Sequence, residues 1–175
     1  MPLANTQIGA FLKGDLSSAL DLVNVLASIN LTAGTAFDNG VAAGQVDKMF
    51  SDTRTLAASA SEDLDLTGTL VDAFGATITM ARVKGLLIRA AAANTNNVVV
   101  GANVAANAWG TLFGPTGASG GTVTLRPGAF FVVGCGSADA TGWTITAGTG
   151  DLLHVTNSAG GTSVTYDVVV IGCSS

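Results

Sequence analysis

The stretch that decides the fold is TVTLRPGAFFVVGCGSADATGWTITAGTGDLLHVTNSAGGTSVTYDVVVIGC, residues 122–173. Thr122–Leu125 runs into Arg126-Pro127-Gly128, where proline presets φ for a turn. Ala129 to Cys135 is an apolar strand, and Ser137 to Gly142 turns the chain. Trp143 and Ile145 then alternate with Thr144 and Thr146. Gly148-Thr149-Gly150 turns into Asp151–Asn157, and Ser158-Ala159-Gly160-Gly161 into Thr162–Cys173. Short strands at roughly ten-residue spacing, each bounded by turn chemistry, read as an all-β chain and a β-sandwich of the jelly-roll kind.

Working backward, Thr53 to Gly121 continues the pattern less regularly. Leu56 to Leu66 reads as a strand in which Leu64 and Leu66 alternate with Asp63 and Asp65. Asp72-Ala73-Phe74-Gly75 reads as a turn, and Thr77 to Ala90 as a long strand ended by Asn94-Thr95-Asn96-Asn97. Val98-Val99-Val100 is a compact strand, and Gly114 to Gly121 a plain loop. Residues 53–175 therefore read as one β-sandwich domain. Residues 1–52 read as an N-terminal arm with edge strands. There Asp15 caps a short helix or turn near Leu16–Leu22, a strand with Val23, Val25, Ala27, Ile29 and Leu31 on one face follows, and Gly34 to Gly44 is a loop.

Composition narrows the function. The 175 residues include 48% hydrophobic but only 11% charged, with a net charge of −5. No apolar run approaches the roughly 20 residues of a membrane-spanning helix. Eleven aspartates, one glutamate and seven basic residues, none of them after Arg126, offer nucleic-acid phosphates no general attraction. Met1 to Ala10 carries no positive charge ahead of an apolar stretch, so no secretory leader is expected. Ala, Gly, Ser and Thr supply 84 residues, so small and threonine side chains coat the surface where a helical protein would place Glu and Lys.

Chemistry is sparse. The one histidine, His154, shares a strand face with Leu152 and Thr156 and reads as a solvent-facing or interface residue rather than a catalytic base. Asp63-Leu64-Asp65 resembles the opening of a calcium loop, but the position eleven residues on holds Phe74 where a glutamate ligand belongs. No Gly-x-Ser-x-Gly elbow occurs, and the Gly114–Gly121 segment lacks a phosphate-loop lysine. Neither an enzymatic activity nor a cofactor or metal is therefore expected. Cys135 and Cys173 end the similar runs VVGC and VIGC. They are either a disulfide pair or two small buried thiols. Arg82 and Lys84 fall on one strand face, as a solvated edge or as a patch for a neighbouring subunit's carboxylates.

The segment Thr53–Leu66 followed by Asp72-Ala73-Phe74-Gly75, together with Arg126-Pro127-Gly128, Gly148-Thr149-Gly150-Asp151 and Thr165–Gly172, resembles small structural proteins of tailed bacteriophages. The resemblance spans Thr53 to the C-terminus and is carried by strand-and-turn signatures. It implies a virion protein similar to capsid decoration or cement proteins: a homo-oligomer, commonly a trimer, made in the host cytoplasm and bound to the major capsid protein on the outer shell. Ile8, Phe11, Leu12, Leu16 and Leu20 of the arm, with Arg82 and Lys84, are the candidate shell or inter-subunit contacts. The alternative is a tail- or fibre-associated module that binds a receptor or glycan through Trp109, Phe113 and Trp143.

Overall fold

The computed structural model describes residues 2–102, 106–115, 117 and 120–175. Twelve strands follow in order, and no described residue is helical. They are β1 (Thr6–Ala19), β2 (Asn24–Asn39), β3 (Gln45–Val46), β4 (Lys48–Leu56), β5 (Ser61–Asp65), β6 (Arg82–Ala90), β7 (Val98–Gly101), β8 (Thr122–Leu125), β9 (Phe130–Gly134), β10 (Trp143–Thr144), β11 (Leu152–Asn157) and β12 (Val164–Cys173). The fold is all-β, built from several sheets.

One sheet has five strands, with β4, β12 and β6 in sequence across it. Beyond β6, β9 pairs along Gly85–Arg89, and β10 pairs at Arg82 and Val83. A second sheet runs β5-β11-β7-β8, entirely antiparallel. Alternation places Val164, Tyr166, Val168 and Val170 of β12 inward. Leu153 and Val155 of β11 and Val98 and Val100 of β7 are buried as well, and all eight residues join one hydrophobic cluster. That cluster closes over Trp109, which is wholly buried, packs edge-on to Phe113 and donates its indole N–H to the Thr144 carbonyl at 2.9 Å.

The third sheet is β1-β2-β3. Here the structure departs from the sequence reading. Leu16–Ala19 is not helical but continues β1, and a four-residue turn, Leu20–Val23, returns the chain into β2. Leu16, Ala19, Leu20 and Val23 fall at helical spacing, but an isolated helical turn here would bury nothing, whereas pairing with β2 satisfies both backbones. The expected loop from Gly34 is strand as far as Asn39, and the boundary at 52 falls inside β4. Leu56–Leu66 is two strands around a turn at 57–60, and Thr77–Ala90 becomes regular strand only from Arg82. The Asp72–Gly75 turn is present, with Asp72 Oδ1 accepting from the N–H groups of Phe74 and Ala76 and Gly75 at φ +82°. Of the expected Gly114–Gly121 loop, Thr116, Ala118 and Ser119 lie outside the described residues.

Candidate functional site

The feature with the clearest chemical consequence is the hairpin of β1 and β2. Its fourteen cross-strand pairs run from Thr6↔Phe37 to Ala19↔Asn24. At about 3.4 Å per residue that is a ribbon some 45 Å long. Cross-strand partners share a face and successive rungs alternate, so the register sorts the residues. One face carries Gln7/Ala36, Gly9/Gly34, Phe11/Thr32, Lys13/Asn30, Asp15/Ser28, Ser17/Leu26 and Ala19/Asn24. The other carries Thr6/Phe37, Ile8/Thr35, Ala10/Ala33, Leu12/Leu31, Gly14/Ile29, Leu16/Ala27 and Ser18/Val25. The second face holds no charge at all.

At its root this apolar face sits on the body. Phe37, Val46 and Ile171 form a small buried cluster with Leu3, Ile8 and Val169 packed on it. Ile8 lies on the outer side of the five-stranded sheet, where a side chain at Gly134 or Gly85 would come within 2.6 or 2.8 Å of it. Those two glycines let the ribbon approach the sheet. Beyond the root the ribbon has no cover among the described residues. Leu12, Leu16, Ile29 and Leu31 are 60% or more exposed, and Leu22 at the tip is 95% exposed. A free two-stranded ribbon is marginal in water, and monomers seldom expose contiguous apolar patches beyond several hundred Å².

The expected contact residues separate accordingly. Ile8 is a root residue held against its own body, and Leu12 and Leu16 lie on the exposed apolar face with Leu20 at the turn. Phe11 is 75% exposed but lies on the polar face, with the Lys13 ammonium 5.9 Å from its ring centre. Leu22, Val23, Val25, Ile29 and Leu31 belong to the exposed set too. The alternation from Val23 to Leu31 is the signal for all of these but Leu22.

Arg82 and Lys84 do not form a surface patch. Between β6 and β12 the register slips, so Val83 and Gly85 oppose Gly172 and Ile171 and leave Lys84 as the extra residue of a bulge. Lys84 is wholly buried, and its ammonium donates to the Asp139 carbonyl. It has no surface to offer a partner. Arg82 donates to the carbonyls of Ala140 and Val41 and to a main-chain oxygen of Ser175, clasping three segments of its own chain.

Strand β6 also separates the two cysteines. The Cys135 N–H donates to the Lys84 carbonyl on one side, while Cys173 pairs with Arg82 on the other. Two strand spacings are about 9–10 Å, beyond the roughly 7 Å between Cα atoms that a disulfide spans. Both thiols are free and buried. Burial, then a hydrogen bond with Asp139, pushes the Cys135 thiol up to about 11, and burial raises Cys173 in the same sense.

His154 faces outward on β11 yet is well covered, with a side chain 11% exposed. In its neutral form Nδ1–H donates to Asp63 at 2.6 Å, and Nε2 accepts from the Thr156 hydroxyl at 2.9 Å. Acid, imidazole and hydroxyl stand in the order of a nucleophile triad. However, Thr156 pairs with both Ser61 and Val99 in mid-strand, where backbone N–H groups serve the sheet ladders rather than a developing oxyanion. The arrangement is a cross-strand lock between β5 and β11.

The chain matches no family model, no curated protein and no solved structure.

Proposed function

We propose that this chain is a non-enzymatic structural protein of a virus particle, a capsid decoration or cement protein. In this reading its two larger sheets, over their shared core, form a jelly-roll-like sandwich that sits on the outer shell against the major capsid protein. The protein acts as a homo-oligomer and bridges capsomers, so that many modest contacts add through multivalency. The observation that carries the reading is the β1–β2 ribbon, whose uncharged face leaves the body exposed. Burying one such leucine is worth about 1.5–3 kcal/mol, so assembly is the natural outcome for it.

The glycan-binding alternative needs exposed aromatic rings on loops. Trp109 is wholly buried, and Phe113 packs between Trp109 and Phe131. Trp143 also packs against the main core, so the rings open to that alternative are others, such as Phe74 in the Asp72–Gly75 turn, 77% exposed.

The test is quantitative mass spectrometry on purified virions from the protein's source. Hundreds of copies per particle, in proportion to the capsid lattice, is the expected result. A handful would move the protein to a tail or fibre, and absence would overturn the virion reading. The companion variant replaces residues 10–33 by Asn-Gly, closing the hairpin at the Gly9↔Gly34 pair. It is expected to keep the body folded and to lose particle binding.

A further inference from the structure

The sizes of the side chains on the arm's apolar face select what can cover it. Bulky and small residues interchange along β1, and on β2 the small Ala33 and Ala27 flank the bulky Leu31 and Ile29. On β1 the order is Ala10, Leu12, Gly14, Leu16, Ser18, with Leu20 at the turn. We propose that the occupant is the same face of a second copy, laid antiparallel about a twofold axis crossing the arm at the Asp15↔Ser28 rung. In that register Ala10 lies over Leu20 of the second copy, Leu12 over its Ser18, and Gly14 over its Leu16. On β2, Ala33 lies over Val23 and Ile29 over Ala27, with Leu31 over Val25 the one bulky pair. Small against large keeps two packed sheets at an even spacing of about 10 Å without voids or overpacking.

Two further observations support this direction. A second arm running parallel would meet the body, because the body already occupies the apolar side at Ile8 and Phe37. Running antiparallel, the second copy's tip, with the 95% exposed Leu22, arrives where the arm leaves the sheet. A cleft of about 540 Å³ lies there, between Ala10 and Ala33 of the arm and Val132, Gly134 and Gly136 of the body. The face's exposed aliphatic side chains present on the order of 700 Å² per copy, close to what each partner contributes to a stable standard interface. A twofold is also the simplest closed symmetry, since each copy offers the same patch. The inference rests on reading the arm as the assembly surface, and it makes the basic unit a reciprocal arm-exchanged dimer rather than a trimer.

Light scattering on the purified full chain is expected to give twice the 17.3 kDa chain mass. The Leu16→Asp/Ile29→Asp variant is expected to halve that mass while leaving Trp109 emission unchanged, because neither residue touches the core. Ala10→Cys/Leu20→Cys treated with a short bifunctional maleimide, which bridges the roughly 10 Å between packed sheets, is expected to run as a covalent dimer. Ala10→Cys alone is expected not to, since the two Ala10 sites would lie roughly 33 Å apart. A monomer, a trimer or no cross-link from the double cysteine overturns the arrangement. A monomer that binds virions in high copy overturns the pairing and leaves the virion reading standing. A dimer absent from virions does the reverse.

Discussion

The Tyr166 hydroxyl donates to Oε1 of Glu62 at 2.9 Å, and the two residues belong to different sheets. Tyr166 is wholly buried on β12, and Glu62 is the only glutamate in the chain. Its second oxygen accepts from Arg54 Nε at 2.6 Å, and Arg54 also reaches Asp52 at 2.9 Å. A hydroxyl, a carboxylate and a guanidinium thus close one edge where β4 and β5 face each other. Burial, then Glu62, raises the Tyr166 hydroxyl far above its usual range, so it stays a donor at every working pH.

Replacing Tyr166 by Phe keeps the ring and removes the donor. Urea unfolding is expected to show a loss of about 1–2 kcal/mol with an unchanged m value. Glu62→Ala strands Tyr166 and half of Arg54 together, so a larger loss is expected. Equal losses for the two variants would mean that Glu62 and Arg54 add nothing beyond the tyrosine bond.

Acid stability is set on the outer face. Asp167 accepts from Thr53 Oγ1 at 2.7 Å and from Arg89 at 2.6 and 2.9 Å, and these bonds hold its carboxyl below the usual carboxylate value. Asp72 and Asp139 are lowered too, by backbone N–H groups of Ala76 and Phe74, and of Gly142 and Thr141. A lowered folded pKa contributes stability that is present above the unfolded value near 4 and is lost as pH falls through the folded value. Thermal melts are expected to be flat from pH 7 to 5 and to decline below about pH 4. Asp167→Asn is expected to shrink that decline, and an unchanged acid limb would remove Asp167 from the account.

Thiol titration separates the two readings of the cysteines. With Cys135 pushed up to about 11 and both sulfurs buried, native protein is expected to be inert to thiol reagents at pH 8. Two thiols per chain are expected on unfolding without reductant. Zero would mean a disulfide and a different register around β6.

The arm root tests how ribbon and body are joined. A side chain at Gly134 would meet Ile8 Cγ2 at 2.6 Å, so Gly134→Val is expected to lever the root from the sheet. Trypsin cleavage at Lys13 is expected to accelerate several-fold while the body's core melts nearly as before, since Ile8 and Phe37 lie in a cluster separate from the main core. Lys84→Ala acts at the opposite extreme. It empties a wholly buried site and is expected to cost about 2–4 kcal/mol of global stability.

Much of the body was legible from local pattern. Leu153 and Val155 alternate with His154 and Thr156, and the structure buries the first pair and turns the second outward. Gly128 stands at φ +79° in the Arg126-Pro127-Gly128 turn, as its place after proline suggests. The arm was only half legible. The even spacing from Val23 to Leu31 shows a strand, but Leu16, Ala19, Leu20 and Val23 fall at helical spacing just before it. Only a cross-strand partner breaks that tie. The Lys84 bulge left no local trace either, because Arg82-Val83-Lys84 reads as plain alternation until β12 supplies the shifted register.

By itself, then, the sequence determined an all-β chain, the inward and outward residues of its regular strands, and the poverty of reactive groups. Each of these follows from period-two alternation, turn residues or bare counts, which are local properties. The tertiary structure alone decided that β1 pairs with β2 and so gathers every charge of the ribbon onto one face. It also decided that β6 stands between the cysteines, that Lys84 is buried, and that one glutamate ties two sheets together. Those relationships join residues from 5 to 104 positions apart. They depend on register and sheet order, which side-chain alternation leaves free until the strands have found their partners.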